Sequence, residues 1–256
     1  MLPLWPETIY VGLFPGHCWL QRGRKATAQD FPSSSGFDPA DLLLTLERML
    51  SEQTEPLHKG SRLVITVSDG IASITPLAWQ EDLRRPAEIE SYARIFYEKL
   101  GMTVSDDWVM RAEFRHFGGM GLAYALPRDW LKALLELIGA KGLRLLEVMP
   151  LSATAFYKQR FKNMSDCSLL LLQEMNRTSA MIYGKDGLCG YDVEPLSRSA
   201  NETRLRLLRR VGADHRNIAR VSCWSTDASE SIPPAGIIAT SFPDAKSTCL
   251  KRDTWK

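Results

Sequence analysis

The chain has 256 residues, 45% hydrophobic and 24% charged, with a formal net charge of +2. That leaves room for a sizeable core in one or two domains of ordinary globular make-up, and the charge balance carries no nucleic-acid signature. Five cysteines (Cys18, Cys167, Cys189, Cys223 and Cys249) include no C-x-x-C pair, so reduced thiols are expected rather than a disulfide framework or a zinc site. No apolar run approaches the ~20 residues of a membrane span. The N-terminus lacks a basic segment followed by an apolar one, so a cytosolic protein is expected.

In chain order, Tyr10–Leu13 and Cys18–Gln21 read as a hairpin around Pro15-Gly16. Polar Lys25–Gly36 reads as a surface loop. Asp38 then caps a helix with Pro39 at its first position, and Leu42, Leu46, Met49 and Leu50 form the buried stripe. Arg62–Ser68 and Ala72–Leu77 are strands. Pro86 opens the clearest helix, with Ile89, Tyr92, Ala93, Phe96, Tyr97 and Leu100 recurring at three and four, and Gly101 as its stop. Trp108–Phe117 alternates like a strand, turned by Gly118–Gly121 into Leu122–Leu126. A helix carrying Trp130, Leu131, Leu134, Leu135 and Ile138 precedes the strand Leu143–Val148, and Ser152 caps a further helix with Phe156 and Tyr157.

Polar Lys162–Asp166 is the candidate boundary. Three strand-like runs follow, including Ser168–Glu174, Thr178–Tyr183 and the stretch from Gly187. A helix with Leu205, Leu208 and Val211 comes next, and Ile218–Trp224 and Gly236–Phe242 are further strands. Mixed strands and helices in this order argue an α/β or α+β class.

Val64–Gly70, Pro76–Gln80, the helix Glu88–Leu100, Ala125-Leu126-Pro127 with its helix, and Gly139–Tyr157 together carry a family pattern. The pattern spans roughly residues 8 to 195 and resembles the PilM/GspL-like cytoplasmic proteins of type IV pilus and type II secretion assembly. The resemblance implies an α/β, actin-like (ribonuclease H-like) two-lobe architecture. Residues 1–161 would form the first lobe, with an inserted subdomain around 68–127, and residues 167–256 a second, smaller or truncated lobe. Pilus-type members of the family bind ATP in the cleft and capture the tail of an inner-membrane partner, whereas secretion-type members have lost the nucleotide.

In nucleotide-binding members the two phosphate-gripping turns hold an Asp near the Mg²⁺-phosphate centre and a Gly that lets backbone N–H groups close on the phosphates. Near Gly12, Phe14 and Gly16, and again near Gln173, the corresponding loops are degenerate, with Phe14 and Gln173 at the acidic positions. No cofactor is therefore expected, with Mg-ATP as the alternative. The implied role is a pseudo-ATPase scaffold at the inner face of the inner membrane. It would bind a platform protein of that membrane and the assembly motor ATPase, and a small-molecule kinase of the same superfamily is the distant rival.

Other motifs weigh less. Gly118-Gly119-Met120-Gly121 lacks the G-x-G-x-x-G spacing followed by a helix, and a turn accounts for it. The four histidines (His17, His58, His116 and His215) have no partner at metal-ligand spacing. Glu147 ends a strand, where a cleft carboxylate could stand, although a structural role accounts for it as well. Arg204, Arg206, Arg209 and Arg210 form the one basic cluster on a helix, either a solvated face or a docking surface for an acidic partner segment or for anionic lipid heads.

Overall fold

The computed structural model describes residues 6–23, 28–33, 38–102, 106–158, 166–195, 200–226, 238 and 241–251. Strands β1 (Thr8–Leu13), β2 (His17–Arg22) and β3 (Gln29–Pro32) form an antiparallel meander; β4 (Arg62–Val67) and β8 (Arg144–Pro150) then add in parallel, giving the order β3-β2-β1-β4-β8. A second sheet repeats that scheme. Antiparallel β9 (Cys167–Gln173), β10 (Arg177–Gly184) and β11 (Gly187–Pro195) are extended in parallel by β12 (Ile218–Ser225) and β13 (Lys246–Cys249), in the order β11-β10-β9-β12-β13. The expected two-lobe α/β architecture is present.

Between β4 and β8 the chain builds a three-stranded antiparallel sheet, β5 (Ser73–Leu77), β7 (Gly121–Pro127) and β6 (Trp108–Glu113), with β7 in the middle. Helix α2 (Pro86–Lys99) covers it. Ile89, Ala93 and Tyr97 pack on Leu77, Met110, Ala123 and Ala125, and the Tyr97 hydroxyl donates to the Ser73 carbonyl at 2.8 Å. Leu100, read as part of the stripe, lies beyond the helix and is exposed.

Helix α1 (Pro39–Ser51) starts where the Asp38 side chain accepts from Ala40 N–H at 2.9 Å, and it buries Leu42, Leu46, Met49 and Leu50 as the spacing requires. It shares the first sheet's outer layer with α3 (Arg128–Ala140), whose Trp130 indole N–H reaches the Pro39 carbonyl at 2.9 Å. Helix α5 (Ala200–Asp214) covers the second sheet through Leu207, Leu208 and Val211, which meet Leu169, Leu171 and Ile182. The opposite face of that sheet, with Leu170, Leu172, Met181 and Tyr183, joins the core of the first lobe. The unbroken run Leu169–Leu172 thus reads as a strand buried on both faces.

Four further expectations change. The loop Lys25–Gly36 contains the short strand β3, since Cys18 pairs with Phe31 and buries it. Ser152 does not cap a helix but lies inside α4 (Leu151–Lys158), with its polar atoms spent on Asp69. Of the expected strand Gly236–Phe242, the described residues Ile238 and Ser241 are helical, and Phe242 N–H donates to the Ile238 carbonyl at 2.7 Å. Leu205 is only half-buried, because the inward face of α5 is centred on Leu207 and Leu208. The boundary segment lies, apart from Asp166, outside the described residues.

Candidate functional site

The two hairpin turns singled out in the sequence meet at the junction of the lobes. Phe14 is fully buried, and its ring packs 5.7 Å from that of Trp224 on β12, tilted by 54°. Its carbonyl accepts from His17 N–H, Ser33 Oγ and the Cys18 thiol. Gly16 turns the chain with φ of 75°, and a Cβ there would overlap the Met175 sulfur of the opposite turn. Gly12 faces the Trp19 ring with no room for a side chain. Gln173 is the last residue of β9, buried, with its carbonyl accepting from Thr226 N–H at 3.0 Å.

The second turn is therefore Glu174–Asn176, and it carries a carboxylate after all, one residue past the position first compared. Glu174 Oε1 accepts from the backbone N–H of Asp69 at 3.1 Å, across 105 residues of chain. Asp69, just beyond β4, is itself fully buried. Ser152 donates to it twice, through N–H at 2.8 Å and Oγ–H at 2.5 Å, and Ser179 Oγ lies at 3.4 Å. Tyr191 completes the cluster, its hydroxyl 3.3 Å from Ser152 Oγ.

Burial pushes Glu174 up to about 8, and the nearby Asp69 adds to the effect. Burial raises Asp69 too, but the Ser152 donors oppose it. Asp69 is raised against the two Ser152 donors, and Glu174 against the Asp69 N–H and the Ser68 side chain, so the pair holds a proton above the ordinary carboxylate range. The missed signal was Asp69-Gly70 at the C-terminal end of a parallel strand, where open α/β sheets gather functional groups.

Phe14 and Trp224 fill the space between the hairpins, Met175 covers Gly16, and the Asp69 carboxylate is occupied by Ser152.

A second feature lies on the other side of β8. A groove of about 730 Å³ opens between the inserted sheet and the first lobe, lined among others by Arg111, Glu113 and Phe114, and by Tyr124, Glu147 and Tyr157. Both banks are strand edges: β6 is paired only with β7, and β8 only with β4, among the described strands. The floor is apolar and aromatic while the rim carries both signs of charge. Arg111 stands 3.7 Å from Glu90, and Lys158 2.9 Å from Glu147. Glu147 is thus a groove residue and not a cleft carboxylate. Burial pushes Tyr124 up to about 12, and it raises Tyr157 as well, with the Glu113 charge adding to it.

The arginine cluster does not form one free basic face. Arg206 pairs with Glu194 at 2.9 Å, Arg210 grips Asp192 and Glu194 of β11, and Arg204 is buried with a bond to Asn201. Arg209 is exposed. His17 meets Asp30 at 3.1 Å, and no group of three metal-ligating side chains occurs among the described residues.

No protein-family model matches the chain, and no curated protein matches it in sequence. Solved structures do. A Bacteroides thetaiotaomicron protein with an actin-like ATPase fold superposes with a TM-score of 0.61 at 10% identity, over 94% of this chain and 90% of that one. A chain of the PilM-PilN type IV pilus biogenesis complex gives 0.67 at 13%, over 94% and 88%. The cytoplasmic domain of EpsL, an inner-membrane component of the Vibrio cholerae type II secretion system, gives 0.56 at 11%, over 98% and 88%. The chain has the actin-like ATPase fold.

Proposed function

We propose that this protein is a non-catalytic scaffold of a type IV pilus or type II secretion-like assembly platform. It works on the cytosolic side, and its groove takes the cytoplasmic tail of an inner-membrane partner. The observation that carries this reading is the groove between the open edges of β6 and β8. An extended tail entering it adds a strand to one bank: main-chain hydrogen bonds supply affinity, and the aromatic floor supplies a few side-chain anchors. That a fold neighbour was solved as the PilM-PilN complex agrees with this use of the fold. The pseudo-ATPase part is supported by Phe14, Trp224 and Met175 occupying the space between the hairpins.

Calorimetric titration with N-terminal tail peptides of membrane proteins encoded nearby tests the reading. Binding is expected, lost in Tyr157→Asp and weakened by salt where rim charges contribute. If no tail binds even at low salt, the scaffold reading fails.

A second reading, an ATP-binding member, rests on the paired carboxylates Asp69 and Glu174, which would face a nucleotide only with the lobes parted. Saturating Mg-ATP would then raise the melting temperature by about 2–4 °C per kcal/mol of binding linkage, with ~2.7 kcal/mol at 100 times Kd. No such shift is expected.

A further inference from the structure

The groove has two strand edges for banks, and they are not equally fit to take a partner. On β8 the pairing with β4 slips: Leu63 pairs with Leu145 and Val64 with Glu147, so Leu146 is the extra residue of a bulge, 58% exposed. Such a bulge bends an edge strand and interrupts the row of hydrogen-bonding groups that an added strand needs. Pro150, which ends β8, has no N–H to offer. Strand β6 pairs with β7 without a slip, from Trp108 with Pro127 to Glu113 with Leu122, and it holds no proline. Its outer edge is the regular one.

One ion pair lies across that edge. Side chains alternate along a strand. Met110 packs in the small core under α2, whereas Arg111 and Glu113 stand opposite Tyr124 and Leu122, which belong to the main core. Arg111 thus starts on the face turned away from α2. Its partner Glu90, 3.7 Å away, is on α2. Because β7 fills the other side of β6, the guanidinium reaches Glu90 round the open edge. A charge bent over a free edge guards it against unwanted pairing. The arginine side chain is 68% exposed, so the pair is weak enough to be exchanged. Glu113, two residues on and on the same face as Arg111, is exposed as well. Between them Ala112, the smallest side chain of the row facing α2, leaves space beside Ile89.

We propose that the groove takes its partner as a fourth strand of the inserted sheet, added to β6, and that the Arg111–Glu90 pair is a clasp on that edge, which the partner undoes with a carboxylate of its own, two residues from a lysine or arginine that meets Glu113.

The proposal rests on the tail-docking reading for its occupant and adds the bank, the register and the chemistry of the tail. Opposite charges on neighbouring strands attract and like charges repel, so Arg111 and Glu113 fix where the two charged residues of the tail stand. The residue between those two points to the α2 side and is apolar, lodged over Ala112 against Ile89. Bulged β8 stays unpaired and serves as a wall.

The probe is a short synthetic peptide with a lysine and a glutamate two residues apart and a valine between them, made in both orders. Hydrogen exchange of the full chain is followed by mass spectrometry with and without it, and affinity is read by fluorescence anisotropy. Slower exchange in Trp108–Glu113 and unchanged exchange in Arg144–Pro150 are expected for one of the two orders. Replacing the glutamate by a second lysine, or N-methylating the peptide backbone at alternate residues, should abolish the protection. Glu90→Gln opens the clasp and should tighten binding, by up to about five-fold for an exposed pair. Arg111→Gln should remove the preference for the glutamate-bearing peptide. Protection on β8 and not on β6, no binding to either the parent or Glu90→Gln, or equal binding of the N-methylated peptide would each overturn the proposal. Both substituted side chains lie at the surface, and if a variant does not fold, the exchange map of the parent chain decides alone. Natural tails that fail while the synthetic peptide protects β6 would sink the scaffold reading and leave the clasp standing. Natural tails that bind while protecting only β8 would do the reverse.

Discussion

The two halves of the molecule share one strand order and differ in what they do with it. In the first, β1 to β4 and β8 are covered by α1 and α3, and the link from β4 to β8 is expanded into a subdomain with its own small core. In the second, α5 covers the outer face together with Ile238 and Phe242, and the inner face is spent on the first half. Equivalent hairpin turns then meet with opposite chemistry. One presents the apolar Phe14 to Trp224, and the other presents the carboxyl of Glu174 to the backbone of Asp69. A repeated topology thus places two loops face to face without dictating whether they hold a ligand or hold each other, as expected where function resides in sites grafted on a fold.

That contrast can be broken from either side. Phe14→Ala removes a fully buried ring from the apolar turn and should cost ~3–5 kcal/mol in urea unfolding, with the Trp224 emission shifting to longer wavelength. Near-parental stability would mean that the lobes do not meet there in solution.

The acidic turn gives the next largest effect. Glu174 titrates higher folded, at about 8, than its ordinary 4.5, so the folded state holds an extra proton between those values. Stability is full below the ordinary value and is lost as pH rises through about 8, by up to roughly 5 kcal/mol in all. Glu174→Gln should flatten that slope and be the more stable protein at alkaline pH, as read from melting temperatures across the range. Asp69, Arg177 and Ser68 are the groups around it, and a slope unchanged in the variant would assign the titration to Asp69.

In the inserted subdomain, Tyr97→Phe should cost about 1–2 kcal/mol, because the Ser73 and Ala123 carbonyls lose their shared donor. Arg210→Gln on the outer helix should cost no more than about 1 kcal/mol, since the Asp192 and Glu194 pairs are half-exposed. A larger loss would make that helix a structural clamp on β11.

Local patterns reported local structure well. Asp38-Pro39, the stripe of α1 and the Pro86 helix are all set by residues within a few positions of one another, and they folded as read. The resemblance supplied the arrangement of the lobes. What stayed hidden depends on distant partners. Glu174 looks like an ordinary solvated carboxylate until Asp69, 105 residues away, closes over it. The arginines of α5 look free until β11 brings Asp192 and Glu194 beneath them. The groove exists only because two sheets leave their edges side by side, and no single segment carries that information.

The inserted subdomain is fastened on several sides. Besides the chain crossings into β5 and out of β7, the Met120–Leu188 hydrogen bond ties it to the β10–β11 turn, beside which a Cβ on Gly119 would overlap the Asp186 carbonyl oxygen, and Leu122, Tyr124 and Leu126 of β7 are part of the main core. A body gripped by both halves of the molecule has no free hinge, so a strand wedged under β6 would strain the β10–β11 turn as well as the first lobe.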